Sequence, residues 1–324
     1  MWAALFPGQG SQAVGMGRYL YDNFKSAKES FEEAGDALGQ NFKKLCFDGP
    51  ESDLALTENT QPALLLVSKI TFDAVREVTG LKFGAAAGHS IGEYAALTTA
   101  GTLKFTDALK AVRLRGQAMQ KAVPVGEGAM IAVLGLDDSD VIAMCAWAEK
   151  QTGLTPIETA NFNAPGQVVI SGSAKLAEWI RENAKPELFT PAGKTPGRMK
   201  LIPLKVSAPF HCSLMKPAEA TMREVLTSTQ FNRSAWPIVQ NFTAEATQDS
   251  DVLREHIIRQ VSGAVRWTQC MQNLKLIGAT RFVEVGAGKV LSGLAKKIDP
   301  ESEVLNLNSL DDLKALEAKA KTNG

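Results

Sequence analysis

A serine placed to act as a nucleophile stands at Ser90, inside Gly88 His89 Ser90 Ile91 Gly92. The spacing is that of the G-x-S-x-G elbow, in which a strand turns sharply into a helix and leaves the hydroxyl exposed at its apex. Small residues, Ala85 to Ala87, precede it, and a helix-compatible run from Glu93 to Leu97 follows. The flanking glycines have a steric task, because such a turn strains the serine backbone and brings chains too close together for side chains. A helix N-terminus beside the serine offers unpaired N–H groups to a carbonyl oxygen that gains negative charge. The same five residues also fit a glycine-flanked turn whose serine caps a helix.

A serine nucleophile needs a base, and the chain has three histidines, His89, His211 and His256. His89 shares the strained turn with Ser90, so its ring should point away. His256 lies in a polar helical run, Leu253 to Gln260, and reads as a surface residue. His211 follows a strand and the rigid Ala208 Pro209 Phe210 turn, where a strand-end catalytic loop belongs. Taken alone it reads rather as a hydrogen-bonded loop histidine, and elimination moves it forward. No acidic residue near it in sequence would orient the ring.

Arg115 is the third candidate. On a helix expected from Thr106 to Ala122, Ala108, Ala111, Val112, Arg115, Met119 and Ala122 share one face at three- and four-residue spacing. A guanidinium there must snorkel out or meet an anion, because an unpaired buried charge is expensive. Arg115 is therefore either a surface residue on a poorly phased helix or a clamp for a substrate carboxylate. Two glycine-rich stretches mislead. Gly8, Gly10 and Ala13 match a dinucleotide fingerprint, yet the second strand and acidic residue required about 20 positions on are replaced by a helical run, Asn23 to Leu38. Gly286 Ala287 Gly288 Lys289 lacks the first glycine and the Ser or Thr of a phosphate-binding loop.

These side chains need a strand-and-helix frame to hold them. Strands are expected at Ala3 to Phe6, before the elbow, at Pro237 to Asn241 and at Phe282 to Val285, with a helix from Pro62 to Val78. A doubly wound sheet would carry Gln9 to the end of its first strand, where such sheets bind ligands. Between them the rhythm changes. Met130 to Leu136, Ile157 to Phe162, Val168 to Ser171 and Lys200 to Val206 read as strands, with helices at Ser139 to Gln151 and Ala174 to Asn183. The order strand, helix, strand, strand, helix, strand is that of a ferredoxin-like unit. We expect a large α/β domain over 1–127 and 207–324 interrupted by a small subdomain at 128–206. A surface loop is expected at Thr190 to Arg198 and a helical tail past Asn306.

Composition excludes other classes. The 324 residues are 45% hydrophobic and 22% charged, with 35 basic against 35 acidic side chains, which argues against nucleic acid or an anionic membrane held by bulk charge. Apolar runs such as Ala63 to Val67 are far short of the roughly 20 residues that span a bilayer. With no signal-peptide pattern at Trp2 to Phe6, a cytoplasmic location is expected. Cys46, Cys145, Cys212 and Cys270 have no metal-ligand or CxxC spacing and read as buried free thiols.

Taken together, Phe6 to Gln12, Thr60 to Ala63, Gly88 to Glu93, Arg115 Gly116, Asn161 Phe162 Asn163, Val168 to Gly172, His211 Cys212 and Glu284 to Gly286 resemble the malonyl-CoA:acyl carrier protein transacylases of bacterial fatty acid synthesis. The resemblance covers nearly the whole chain. It implies an α/β-hydrolase-like core with a parallel sheet and an inserted ferredoxin-like α+β subdomain. It implies Ser90 as acyl carrier, His211 as its base, and Gln9 with the Ile91 N–H as oxyanion hole. Arg115 would grip the malonyl carboxylate, Asn161, Asn163 and Phe210 would bind substrate, and the Gln260 carbonyl would orient the histidine in place of an acid. The substrates implied are malonyl-CoA and phosphopantetheinylated acyl carrier protein, with no metal or cofactor, acting as a monomer. Family members often carry serine at the position of Phe210, whereas malonyl-selective acyltransferase domains of polyketide synthases carry phenylalanine. That leaves a trans-acting malonyl transferase of a polyketide pathway as the alternative. A serine esterase, a non-catalytic carrier-binding module and a thiol enzyme using Cys212 are the remaining rivals.

Overall fold

The computed structural model describes residues 1–189 and 198–322. Strands among them are β1 (Trp2–Phe6), β2 (Phe83–Gly88), β3 (Gly128–Leu134), β4 (Ile157–Ala164), β5 (Gln167–Ser173), β6 (Lys200–Pro203), β7 (Ile238–Val239), β8 (Ala246–Thr247), β9 (Arg281–Glu284) and β10 (Glu303–Asn306). They form two sheets, ordered β10-β9-β1-β2-β7-β8 and β4-β5-β3-β6. The first is parallel except for its β7–β8 edge, and every pair in the second is antiparallel.

The parallel sheet explains the apolar runs at its centre. All five residues of β1 are buried, as a strand covered on both faces requires. Parallel neighbours end at the same edge: Phe6 pairs with Gly88 and Ala87 with Val239. The segments that follow β1, β2 and β7 therefore converge, bringing Gln9, Ser90 and Asn241 to one place. Behind them runs the helix Thr57–Thr79, buried on nearly all sides through Leu64, Leu65, Leu66, Ile70, Phe72 and Val75. Each such side chain contributes about 1.5–3 kcal/mol on burial. The helix Phe105–Lys121 packs its Ala108, Ala111, Val112, Arg115 and Met119 face inward, as its spacing foretold. The antiparallel sheet is tied to the chain after His211 by Val265, whose N–H donates to Ala160 O at 2.8 Å while its own carbonyl accepts from Phe162 N at 2.9 Å.

Several element ends differ from expectation for physical reasons. The helix expected to begin at Pro62 begins at Thr57, since its first turns bury polar residues, Thr57, Asn59, Thr60 and Gln61, that no apolar period reveals. The strand expected to reach Val206 stops at Pro203; the Leu204 N–H still donates to Met130 O at 2.9 Å, and the chain from there turns to line a cavity. The strand expected to reach Asn241 stops at Val239, because the Asn241 N–H donates to a side chain, Glu93, instead. The short β8 and β10 were not foreseen. The helical tail is present as Leu310–Thr322. The expected loop at Thr190 to Arg198 lies, apart from Arg198, outside the described residues. No helix among the described residues is long and apolar enough to cross a membrane.

Candidate active site

The elbow is as tight as the glycines suggested. Ser90 sits at φ 53°, in the left-handed region. A Cβ on Gly88 would lie 2.0 Å from the backbone of Gly92, and one on Gly92 would lie 2.1 Å from the carbonyl oxygen of Phe6. Helix Gly92–Thr99 thus presses directly on the end of β1. Asn241 clasps the turn from the far side: its Oδ1 accepts from Ser90 N at 2.7 Å and its Nδ2 donates to Gly88 O at 2.7 Å.

His211 approaches the serine from its own strained position, φ 59°. Its Nε2 lies 2.8 Å from Ser90 Oγ, and its Nδ1 faces the carbonyls of Gln260 at 2.9 Å and Gly263 at 3.2 Å. Carbonyls only accept, so Nδ1 carries the hydrogen and Nε2 turns its lone pair to the hydroxyl. Burial pushes the imidazole pKa down to about 3, and the nearby Arg115 charge adds to the effect while the two carbonyls oppose it. The ring is neutral at physiological pH, as a proton acceptor must be.

Arg115 completes the cluster. Its side chain is 1% exposed. Nη1 donates to Gln61 Oε1 at 2.9 Å, and Nη2 donates to Gln260 Oε1 at 2.9 Å and to Ser90 Oγ at 3.1 Å. Its Nε has no partner. Among the described residues no carboxylate forms an ion pair with it, so a buried cation is held by neutral oxygens alone and burial lowers its pKa. The group is poised for an anion.

A cavity of about 350 Å³ opens over these atoms, lined by Gln9, Gln61, Ser90, Arg115, Met119, Met130, Asn161, Phe210 and His211 among others. Gln9 is held at its edge through Nε2 to Thr57 Oγ1 at 3.3 Å. Among the described residues the backbone N–H groups of Gln9 and Ile91 meet no protein acceptor. Asn163 is placed otherwise: it does not line the cavity, and its Oδ1 lies 2.8 Å from Nε2 of His89, whose ring packs beside Trp267. His89 therefore faces away from the hydroxyl, as expected. His256 is half-buried and meets Gln240 Oε1 at 3.0 Å.

Four participants went unread in the sequence: Glu93, Asn241, Gly263 and Gln61. Glu93 left a signal, a lone acid at the head of an otherwise apolar run directly after the elbow. Gly263 acts through its main chain, which side-chain patterns do not report. Cys212 is buried, donates its thiol to Pro209 O at 3.1 Å, and burial pushes its pKa up to about 11. Such a thiol is a poor nucleophile. No group of His, Cys, Asp and Glu able to hold a metal occurs among the described residues.

Residues 4–298 match the acyl transferase domain family. The chain belongs to that family. This acyl transferase is 40% identical over 320 residues to the malonyl CoA-acyl carrier protein transacylase of Bacillus subtilis, covering 96% of this chain and 97% of that one. It superposes on the malonyl CoA-acyl carrier protein transacylase of Coxiella burnetii with a TM-score of 0.91 at 35% identity, over 98% of this chain and 97% of that one. A malonyl-transacylase solved in complex with its type II PKS acyl-carrier protein aligns with a TM-score of 0.90 at 36% identity, over 98% and 99% of the two chains. The resemblance drawn from the motifs is borne out.

Proposed function

We propose that this acyl transferase carries the malonyl group of malonyl-CoA to the phosphopantetheine thiol of acyl carrier protein as an ester on Ser90. The observation that carries the reading is Arg115, a buried guanidinium without a counter-carboxylate, bonded to the very hydroxyl that would hold the acyl group. An acyl chain ending in a carboxylate supplies the missing anion, and a bidentate pair fixes its direction.

The steps follow from the geometry. His211 Nε2 takes the Ser90 proton as Oγ attacks the thioester carbonyl. The Ile91 and Gln9 N–H groups, free of protein acceptors, bind the developing oxyanion, each contributing about 3 kcal/mol. The coenzyme leaves as a thiol, taking back the proton held by His211, and at a pKa of about 8.5 it needs no stronger acid. The carrier's thiol then enters, gives its proton to His211 and takes the acyl group, and His211 returns that proton to Ser90 Oγ, in ping-pong order. Asn161 and Phe210 shape the cavity, whereas Asn163 acts through His89. Nothing in this cycle calls for a cofactor.

The strand order β4-β5-β3-β6, built from a strand, helix, strand, strand, helix, strand sequence, supports a ferredoxin-like reading of residues 128–206. The elbow between a parallel strand and a helix supports an α/β-hydrolase-like reading of the rest, over 1–127 and 207–324. We assign the enzyme to the cytoplasm as a monomer. Phe210 and the polyketide-type structural relative favour a second reading in which the carrier serves polyketide assembly. Incubation with malonyl-CoA and carriers of each type tests both. Malonyl-carrier is the expected product, its preferred carrier distinguishes the pathways, and free malonate without malonyl-carrier would mark an esterase and overturn the transfer.

A further inference from the structure

Glu93 has no part in the steps above, yet it is fully buried directly behind the elbow. Everything that touches its carboxylate is a donor. Gln240 Nε2 gives to Oε1 at 3.0 Å, while the Asn241 N–H at 2.8 Å and Gln260 Nε2 at 3.2 Å give to Oε2. A protonated or amidated side chain would set a donor against one of those donors, so these hydrogen bonds favour the ionised form.

The partner that matters is Gln260. With its Nε2 directed at Glu93, Ser90 O and Asn241 Oδ1, its Oε1 must face Arg115 Nη2, and its main-chain carbonyl faces His211 Nδ1. A flipped amide would present N–H to a guanidinium. We propose that the Glu93 carboxylate is a positioning residue that fixes the Gln260 amide, and through it the directions of Arg115 and His211. The inference rests on the malonyl-transfer reading for the part played by Arg115. It is independent of that reading for the nucleophilicity of Ser90.

Ionisable groups around Glu93 are few. Arg115 lies on the helix Phe105–Lys121, Tyr94 on its own helix, Cys270 on the helix Trp267–Leu276, and His256 beyond Gln240 on the helix Ser250–Arg259. Burial raises the Glu93 pKa to about 7, opposed by its three hydrogen bonds and by the Arg115 charge. Burial raises Tyr94 and Cys270 far above neutrality, holds His211 near 3 and lowers His256, so Glu93 is the group in the cluster that changes charge near pH 7.

Two readouts separate positioning from bulk stability. Labelling of Ser90 by phenylmethylsulfonyl fluoride, a neutral reagent, should slow on acidification with a limb near pH 7 in the wild type. Glu93→Gln should lose that limb, label at least tenfold more slowly at pH 8, and narrow the malonyl-over-acetyl preference at least tenfold. Gln240→Leu, which removes one donor to the carboxylate and lies outside the cavity, should move the limb to higher pH and serves where Glu93→Gln does not fold. A labelling rate flat from pH 5 to 8, or a limb unmoved in both variants, overturns the proposal. A wild type that labels as expected but transfers no malonyl refutes the functional reading and leaves this one standing.

Discussion

Replacing Arg115 by alanine separates recognition of the acyl group from its chemistry. In the acyl-enzyme the buried guanidinium would pair with the distal carboxylate, and removing one partner of a buried pair costs about 3–5 kcal/mol. At about 1.4 kcal/mol per factor of ten, malonyl transfer should lose roughly two to nearly four orders of magnitude in kcat/KM. The substitution also strips a donor from Gln61 Oε1 and from Gln260 Oε1. Each unsatisfied acceptor costs about 1–3 kcal/mol, but this burden falls on every acyl donor alike. The ratio of malonyl to acetyl is therefore the informative quantity. Acetyl has no carboxylate to lose, and in the wild type it leaves the guanidinium unpaired, so its rate should fall far less or rise. With malonyl-CoA, methylmalonyl-CoA and acetyl-CoA compared at one carrier concentration, the malonyl-to-acetyl ratio should drop at least about a hundredfold. Methylmalonyl should decline with malonyl, because both end in the same carboxylate. Equal losses for malonyl and acetyl would refute the assignment and leave Arg115 a structural cation.

Gly92→Ala should destabilise the fold by about 1–3 kcal/mol in urea unfolding and slow labelling of Ser90, because the new methyl group meets the Phe6 carbonyl carbon at 2.8 Å and its oxygen at 2.1 Å. Wild-type stability and labelling would show that the elbow yields more easily than its contacts imply. Acid sensitivity should track His211. Its pKa is near 3 in the fold against about 6.5 unfolded, so the unfolded chain binds the extra proton and stability from this group falls as pH drops from 6.5 towards 3. Glu93, raised to about 7, contributes in the opposite sense: its share is fully present below its unfolded pKa and is lost as pH rises through 7. Unfolding midpoints of His211→Gln should accordingly fall less on acidification from pH 6.5 to 4 than those of the wild type; an equal or steeper fall would contradict the buried neutral ring.

What could be read in advance was whatever a local pattern dictates. The elbow is five consecutive residues, and its steric logic transfers directly to the contacts of Gly88 and Gly92. Arg115 stood out because one charged residue interrupted an apolar stripe, and the stripe proved to be the buried face. His211 came forward because so few histidines were available, and its geometry with Ser90 rests on strand ends that no local window relates. The rest depended on pairing at a distance. Gln260, named in advance through the family resemblance alone, and Gly263 orient the imidazole with main-chain oxygens, which every residue has. Asn241 and Glu93 meet because β7 ends beside β2, a neighbourhood fixed by sheet order. Asn163 was grouped with Asn161 through the Asn161 Phe162 Asn163 motif, and a two-residue spacing keeps side chains on one face of a regular strand; here the register against β5 shifts between Phe162 and Ala164, and Asn163 meets His89 instead.

The account depends most directly on a covalent bond to Ser90. Intact-mass analysis of the protein mixed with malonyl-CoA alone should show one malonyl group added, mapped to Ser90 by peptide fragmentation, absent in Ser90→Ala, slowed about 10²- to 10⁴-fold in His211→Ala, and discharged on addition of holo acyl carrier protein. An unmodified wild type, or an adduct that survives Ser90→Ala, would contradict it.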